Sequence, residues 1–328
     1  MKISALIPTY NRRQFVPRAI QSVLSQTVPV DEILVVDDGS TDGTAEDIEQ
    51  RFGNRVRVVR QANQGVSGAR RRAVLEAKGD WIGFLDSDDE WTPDRNRILL
   101  QATEKVPGDV AWIFGNTQFV SDGAGYTQYE KHGLSVAERV QVFEDSLSVQ
   151  YPWQFGILES SVIRRQTLME LRCFSENLRI WEDFLAAIQV ACRFGFAGIP
   201  EIVTKVYRTS DLSKSSLTLA GSSLSEPSLS IDYHRAGMLA FSLAARSVRR
   251  QPWGELHAEA VRGLCRVLSE KGQGFRWLSL QQFRHGVSWK SIAFLCAAML
   301  GGRGLDLWSR AAAMGRALRS PSPIRSEE

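Results

Sequence analysis

Val35-Val36-Asp37-Asp38-Gly39-Ser40-Thr41-Asp42 and, further along, Phe84-Leu85-Asp86-Ser87-Asp88-Asp89 are the two stretches that decide the fold. Each is an apolar run that ends in carboxylates. Ile33–Val36 and Trp81–Leu85 are unbroken apolar runs, the mark of strands buried on both faces. Working outward, Ile3–Ile7 reads as a strand that stops at Pro8, and Arg55–Arg60 as another. Helices are predicted between them over 15–26, 44–52 and 66–78. In the first, Pro17 suits an opening turn, and Val16, Ile20, Val23 and Leu24 share one face. Strands alternating with helices imply right-handed crossovers and a parallel sheet.

In an open parallel sheet, ligands bind outside the carboxyl ends of the strands. Both acidic clusters should therefore face one crevice. Crowded carboxylates repel one another, and a divalent cation would let them coexist. Mg²⁺ or Mn²⁺ prefers carboxylate oxygens and usually takes substrate phosphate as well. The competing reading for Asp37–Asp42 is a turn with helix-capping side chains.

After residue 92 the pattern loosens. Val110–Phe114 and Thr117–Val120 read as strands, 183–194 as a helix, and Ile199–Tyr207 as a closing strand. Residues 209–230, rich in Ser, Leu and Thr, read as a loop, and the pattern from 233 onward is helical.

Composition narrows the function classes. The 328 residues suit one large domain with an appendage. A net charge of +3 gives no overall nucleic-acid footprint, although Arg310, Arg316, Arg319 and Arg325 gather near the end of the chain. Cys173, Cys192, Cys265 and Cys296 show neither CxxC spacing nor a His at a metal-ligand interval. They read as free thiols of a reducing compartment. The longest apolar stretch, Ile292–Leu300, is about half of the ~20 residues that a membrane span needs. A cytoplasmic location is expected, with peripheral attachment to a membrane allowed.

Taken in order and spacing, the motifs resemble the inverting, GT-A-fold glycosyltransferases of family 2. They are Ile7-Pro8-Thr9-Tyr10-Asn11, Ser22-Val23-Leu24-Ser25-Gln26-Thr27, the two acidic stretches, Asn63-Gln64-Gly65-Val66-Ser67-Gly68-Ala69-Arg70, Glu182-Asp183 and Tyr207-Arg208. The resemblance covers about residues 2–208. It implies an α/β fold, a mostly parallel sheet flanked by helices, and transfer of a sugar from a nucleotide-diphosphate donor, UDP-linked by preference. The acceptor would be a glycan or a lipid-linked molecule in cell-surface polysaccharide or glycoconjugate synthesis.

The resemblance also implies roles. Thr9 and Tyr10 would line the base pocket, with Asp38 accepting from a uracil-like edge. Asn63, Gly65 and Arg70 would lie near base and diphosphate. Asp86-Ser87-Asp88 looks like the family's DxD motif, with Asp88 as direct ligand of Mg²⁺ or Mn²⁺ and Asp86 acting on the metal, water or donor sugar. Asp183 would be the general base. Carboxylates also stabilise a helix start, so that is the other reading of Glu182-Asp183. Trp153 and Trp181 are either sugar-stacking surfaces or core aromatics. Many family members carry a His after the Tyr-Arg; here Thr209-Ser210-Asp211 follows, so either Asp211 substitutes or the metal has fewer protein ligands.

The domain reading is 1–210 catalytic, 211–232 a flexible linker, 233–316 a helical extension and 317–328 a disordered tail. In the extension, Phe275, Trp277, Trp289 and Phe294 alternate with Arg276, Arg284, Lys290 and Arg303. That suits either a helical bundle with its charges in water or a membrane-interface surface. Two other function classes fit acids at strand ends: a Mg²⁺-dependent phosphoryl-transfer protein, and a nucleotide-sugar-binding protein that has lost catalysis. The first needs a Lys beside a nucleophilic Asp, and Lys105 and Lys131 are poorly placed in the sequence.

Overall fold

The computed structural model of the protein describes residues 1–122, 125–137, 139–147, 158–175 and 178–208, with 236, 237, 239, 240, 243 and 244. The expected linker and tail, and nearly all of the helical extension, lie outside the described residues, as does Trp153.

Four strands form the parallel half of a single sheet: β1 (Ile3–Thr9), β2 (Glu32–Asp37), β3 (Arg57–Arg60) and β4 (Trp81–Phe84). β1 pairs in parallel with both β2 and β4, and β2 with β3. The connections are α1 (Val16–Leu24), α2 (Thr44–Phe52) and α3 (Gly65–Glu76). Beyond β4 the sheet is mixed. β9 (Ser161–Arg164) runs antiparallel between β4 and β6 (Val110–Ser121). β10 (Gly195–Arg208) lies parallel to β6, and the short β5 (Glu90–Trp91) closes the edge antiparallel to β10. Two short strands, β7 (Tyr126–Thr127) and β8 (Gln141–Phe143), flank β6 and β10. Further helices are α4 (Arg95–Thr103), α5 (Gln128–His132), α6 (Arg165–Glu170) and α7 (Glu182–Ala191).

The sheet is covered on both faces, as the unbroken apolar runs require. Leu6, Leu34, Val36, Ile82 and Phe84 point into one core with α3 and α7. Ala5, Ile7, Ile33 and Val35 point into the other with α1 and α2. Alternation along one strand thus feeds two cores. Ala236, Ala240 and Ala244 are fully buried against the first core. Among the described residues no helix is long and apolar enough to cross a membrane.

Several boundaries differ from the sequence reading. β1 continues through Pro8 to Thr9, because Pro8 sits opposite Val36 and only the missing amide is lost to the ladder. The two strands expected at 110–120 are one strand, β6. Its Gly115-Asn116 step reads as a break, yet a Cβ at Gly115 would lie 2.6 Å from Val203, and Asn116 Oδ1 accepts from the amides of Thr117 and Tyr129. The glycine allows a close approach and the asparagine is satisfied internally. The strand expected from Ile199 begins at Gly195.

Candidate active site

The carboxyl ends of β1, β2 and β4 meet at one mouth, as the two acidic clusters predict. The first cluster resolves into separate tasks. Asp37 Oδ1 accepts from Ser40 N at 2.8 Å, and Asp42 accepts from Thr44 N, Thr44 Oγ1 and Arg13 N. Asp38, 3% exposed, takes three donors: Gln61 Nε2 at 2.6 Å, Gln64 N at 2.8 Å and Gly65 N at 2.8 Å. Each of these acids is engaged by hydrogen bonds within the chain. Asp37 and Asp42 follow the turn-and-cap reading, while Asp38 ties the end of β2 to the start of α3.

That tie depends on two glycines. Gly65 adopts φ +76 as it enters α3, in the region that favours glycine. Gly39 adopts φ +83, and a Cβ there would lie 3.1 Å from Asn63 N. Asn63 is exposed above Gly39, and its Oδ1 accepts from Gly65 N at 3.3 Å. Thr9 is 4% exposed and its Oγ1 has no hydrogen-bond partner among the described residues. Tyr10 beside it is 46% exposed. Thr9 brings an unpaired hydroxyl and Tyr10, next to it in the chain, an exposed aromatic ring at the end of β1, a polar group and a stacking face that a ligand can use.

The second cluster lies on the loop after β4. Arg70, expected on the diphosphate, is instead 4% exposed and committed to carboxylates. Its Nη2 donates to Asp86 Oδ1 at 2.7 Å and its Nη1 to Glu182 Oε1. Buried in the second turn of α3, the guanidinium turns both Nη atoms to these carboxylates, while its Nε has no hydrogen-bond partner among the described residues. Burial opposes the charge on Arg70, but Asp86 and Glu182 outweigh it and raise the guanidinium above its ordinary value. Burial pushes the Glu182 carboxyl up to about 7, with Arg70 acting against the shift.

Around Asp86 the acids separate in character. Burial raises Asp86, yet Arg70 and a hydrogen bond from Glu159 hold it below the usual carboxylate value. Glu159 is pushed well above by burial and by Asp86, so Glu159 is the partner that keeps the proton. Burial and the neighbouring Asp88 and Asp86 raise Asp89 well above its ordinary value, although its Oδ1 accepts from Tyr207 N at 2.9 Å. Burial and then Asp86 raise Asp88 as well, with Arg12 and Arg208 opposing. Among the described residues, no side chain bonds to the Asp88 carboxylate.

Asp86, Asp89 and Glu159 offer oxygens within 4.8 Å of one another, close enough to share a cation. Asp88, the residue expected to bind metal, is outside that group. Asp88 is the other carboxylate of this loop that could hold Mg²⁺ or Mn²⁺. Asp86 Oδ1 is taken by Arg70 and Asp89 Oδ1 by Tyr207 N. Asp88 is a half-buried carboxyl with no side-chain partner among the described residues, and Mg²⁺ or Mn²⁺ needs few carboxylates when substrate phosphate completes the shell.

Asp183 stands in the first turn of α7, its Oδ1 accepting from Phe184 N at 2.7 Å. Trp181, the residue before α7, adopts φ 63, a costly conformation for a bulky side chain. That kink starts the helix at Glu182. The Trp181 ring packs edge-on to Phe184 at 5.1 Å and against the first core, the contacts of a core aromatic. Arg18, which the sequence reading passed over, clamps the acidic loop. Its Nη2 donates to Asp88 O at 2.6 Å, its Nε pairs with Glu90 at 2.9 Å, and it lies 4.1 Å over the Tyr207 ring. Glu159 was also missed, since nothing near it in the sequence marks it. A cavity of about 210 Å³ lined by Arg97, Lys105, Arg139 and Glu201 contains none of these groups.

A two-faced, mostly parallel sheet with acids at its strand ends and a carboxylate pair at a facing helix start is the architecture of a GT-A glycosyltransferase. The chain belongs to glycosyl transferase family 2, whose pattern residues 4–172 match. It is 32% identical over 208 residues to an uncharacterized glycosyltransferase of Rickettsia conorii, covering 62% of this chain and 32% of that protein. It is 31% identical over 196 residues to the succinoglycan biosynthesis protein ExoO of Rhizobium meliloti, covering 58% of this chain and 56% of that one. The matches thus span between a third and somewhat over half of these relatives. The fold resembles S. aureus TarS 1-349 in complex with UDP-GlcNAc, with a TM-score of 0.58 at 18% identity, covering 91% of this chain and 79% of that one.

Proposed function

We propose that the protein is an inverting glycosyltransferase that moves a hexosyl group from a UDP-sugar to an acceptor hydroxyl, with Mg²⁺ or Mn²⁺. Thr9 and Tyr10 take the base, aided by Asp38, Asn63 and Gly65. Asp88 holds the metal, which supplies Lewis-acid stabilisation of the leaving diphosphate when bound. Asp183 accepts the proton of the acceptor hydroxyl as its oxygen attacks the anomeric carbon. The bond from that carbon to the β-phosphate oxygen breaks, and UDP leaves from the opposite face.

The observation that supports this reading most is the reach of Arg70. One buried guanidinium joins the loop bearing Asp88 to the helix start bearing Asp183. Donor-side and acceptor-side carboxylates therefore share one mouth. TarS, with the same fold, has been solved with UDP and with UDP-GlcNAc, and ExoO carries a polysaccharide-synthesis name; both support a UDP donor and a surface-glycan product. A cytoplasmic chain, in peripheral contact with the membrane where a lipid-linked acceptor would lie, fits the composition.

Calorimetric titration of UDP with and without Mn²⁺, into the wild type and Asp88→Ala, tests the reading. Metal-dependent binding that Asp88→Ala weakens strongly is expected. Absence of UDP binding under both conditions would sink the uridine assignment. Metal-dependent UDP binding with no transfer or hydrolysis across many acceptors would favour a binding protein that has lost catalysis.

A further inference from the structure

We infer that one polar edge of α1 positions the acidic loop for the donor, a role that rests on the donor reading above. Ser22 and Gln26 are its positioning residues, and they act through the backbone of residues 91–96. The Ser22–Thr27 motif supplies none of the groups assigned to donor, metal or acceptor, so this is the task it is left with.

α1 buries Val16, Ala19, Ile20 and Val23 in the second core. Side chains four apart share a helix face, so Arg18 and Ser22 line up beside that apolar stripe. Gln26 continues the line two residues past the helix end. The chain that follows the acidic loop is bonded along this line. Arg18 Nη2 donates to Asp88 O at 2.6 Å, Ser22 Oγ accepts from Trp91 N at 3.1 Å, and Gln26 Nε2 donates to Thr92 O at 2.7 Å. Gln26 Oε1 accepts from Asn96 N at 2.8 Å. Thr27 donates from N to Pro93 O at 2.9 Å and from Oγ1 to Asp94 Oδ1 at 2.8 Å.

The chemistry of this seam is specific. Gln26 is 6% exposed, and its Nε2 donates to Ser22 O at 3.0 Å as well as to Thr92 O. An amide presents two donors and an acceptor at that reach, whereas a carboxylate has acceptors alone. Ser22 Oγ donates to Ala19 O at 2.7 Å, which turns a lone pair to Trp91 N. On its other side the same segment is held by β10, with Thr92 N on Val203 O at 3.0 Å and Tyr207 N on Asp89 Oδ1 at 2.9 Å. Trp91, 3% exposed, is fixed between them, its ring centroid 3.6 Å from the Arg95 guanidinium carbon and its Nε1 donating to Phe84 O at 3.3 Å. The turn that carries Asp88 is closed by Asp89 N on Asp86 O at 3.1 Å, and its exit is fixed by the seam. A small, hard cation tolerates little displacement of its carboxylate, so a looser exit is felt as a weaker hold on the metal.

The test reads the Mn²⁺ requirement beside stability, in the full chain. Ser22→Ala, Ser22→Thr, Gln26→Glu and a control, Glu32→Gln, are compared with wild type by urea unfolding and by calorimetry of UDP over a range of Mn²⁺ concentrations. Glu32 bonds Ser4, Arg57 and Lys78 N at the end of β2 away from the site, so its variant loses stability and keeps the wild-type Mn²⁺ requirement. Ser22→Ala is expected to raise the Mn²⁺ concentration for half-maximal UDP binding about threefold to fivefold, up to the scale of one neutral hydrogen bond, because affinity falls with the fraction of molecules whose loop is in place. Ser22→Thr keeps the hydroxyl and should stay within about twofold of wild type. Gln26→Glu loses both donors and should raise the requirement about tenfold. A requirement in Ser22→Ala and Gln26→Glu no higher than in Glu32→Gln overturns the inference, and so does Ser22→Thr as impaired as Ser22→Ala. If the wild type binds no UDP, the donor reading fails by itself. Amide hydrogen exchange over residues 86–92 then decides whether α1 holds the loop: faster exchange in Ser22→Ala than in Glu32→Gln upholds it, and equal rates overturn it.

Discussion

Arg70 and Glu182 form a buried ion pair across 112 positions of sequence, and the same guanidinium holds Asp86 at 2.7 Å. Removing the arginine would leave two carboxylates facing each other with little water. Arg70→Leu is expected to cost about 3–5 kcal/mol of unfolding free energy, measured by urea titration. A loss below about 1 kcal/mol, the scale of an exposed pair, would show that the bridge does not persist in solution.

Arg70 also shows what the sequence could and could not reveal. Its family position marked it as a donor-site residue, but not its partners, which arrive from β4 and α7. The parallel half was legible because its strands are unbroken apolar runs separated by helical patterns; 44–52 is helical end to end, as expected. The mixed half was not. α4 opens with Arg95 and Asn96, both fully buried, which reads as a polar break. Asn96 Nδ2 donates to the carbonyls of Val28 and Pro29 and its backbone amide to Gln26 Oε1, while its Oδ1 has no partner among the described residues. Arg95 is sheltered by Trp91. Such burial is fixed by tertiary partners, and no local period encodes it. Glu159 was illegible for the same reason.

Asp183 should separate chemistry from binding. Asp183→Asn preserves the acceptor of the Phe184 amide bond, so the start of α7 should hold. Loss of the base is expected to lower kcat by about 10²–10⁴-fold, with UDP affinity by calorimetry unchanged within about threefold. A kcat near wild type would remove Asp183 from the proton transfer.

Arg18 links three features of the donor side: the Asp88 carbonyl, Glu90 and the Tyr207 ring. Its side chain is 42% exposed, so its truncation should cost little stability. Arg18→Ala is expected to lower the thermal midpoint only slightly, since an exposed pair contributes about 0–1 kcal/mol. Freed from its clamp, the loop should bind UDP and Mn²⁺ about fivefold to tenfold more weakly. Calorimetry with unchanged affinity would show that the loop holds its shape without Arg18.

Glu32 gives a pH prediction remote from the chemistry. Its Oε2 accepts from Ser4 Oγ at 2.7 Å and Lys78 N at 2.9 Å, and its Oε1 from Arg57 at 3.0 Å. Burial disfavours the charged form, but these hydrogen bonds outweigh it and hold the carboxyl below its ordinary 4.5. A group depressed in the folded state stabilises above its unfolded pKa, and that contribution fades as pH falls through the folded value. Glu32 thus contributes fully at pH 7 and ceases to contribute well below pH 4.5. Glu32→Gln should be less stable than wild type by about 1–3 kcal/mol at pH 7, the scale of hydrogen bonds to a charged group. The gap should close on acidification, because wild type loses the stabilisation that the amide never had. Urea midpoints of both proteins between neutral and acid pH check this, and a gap that stays constant into acid would show that the network is not held by the charge on Glu32.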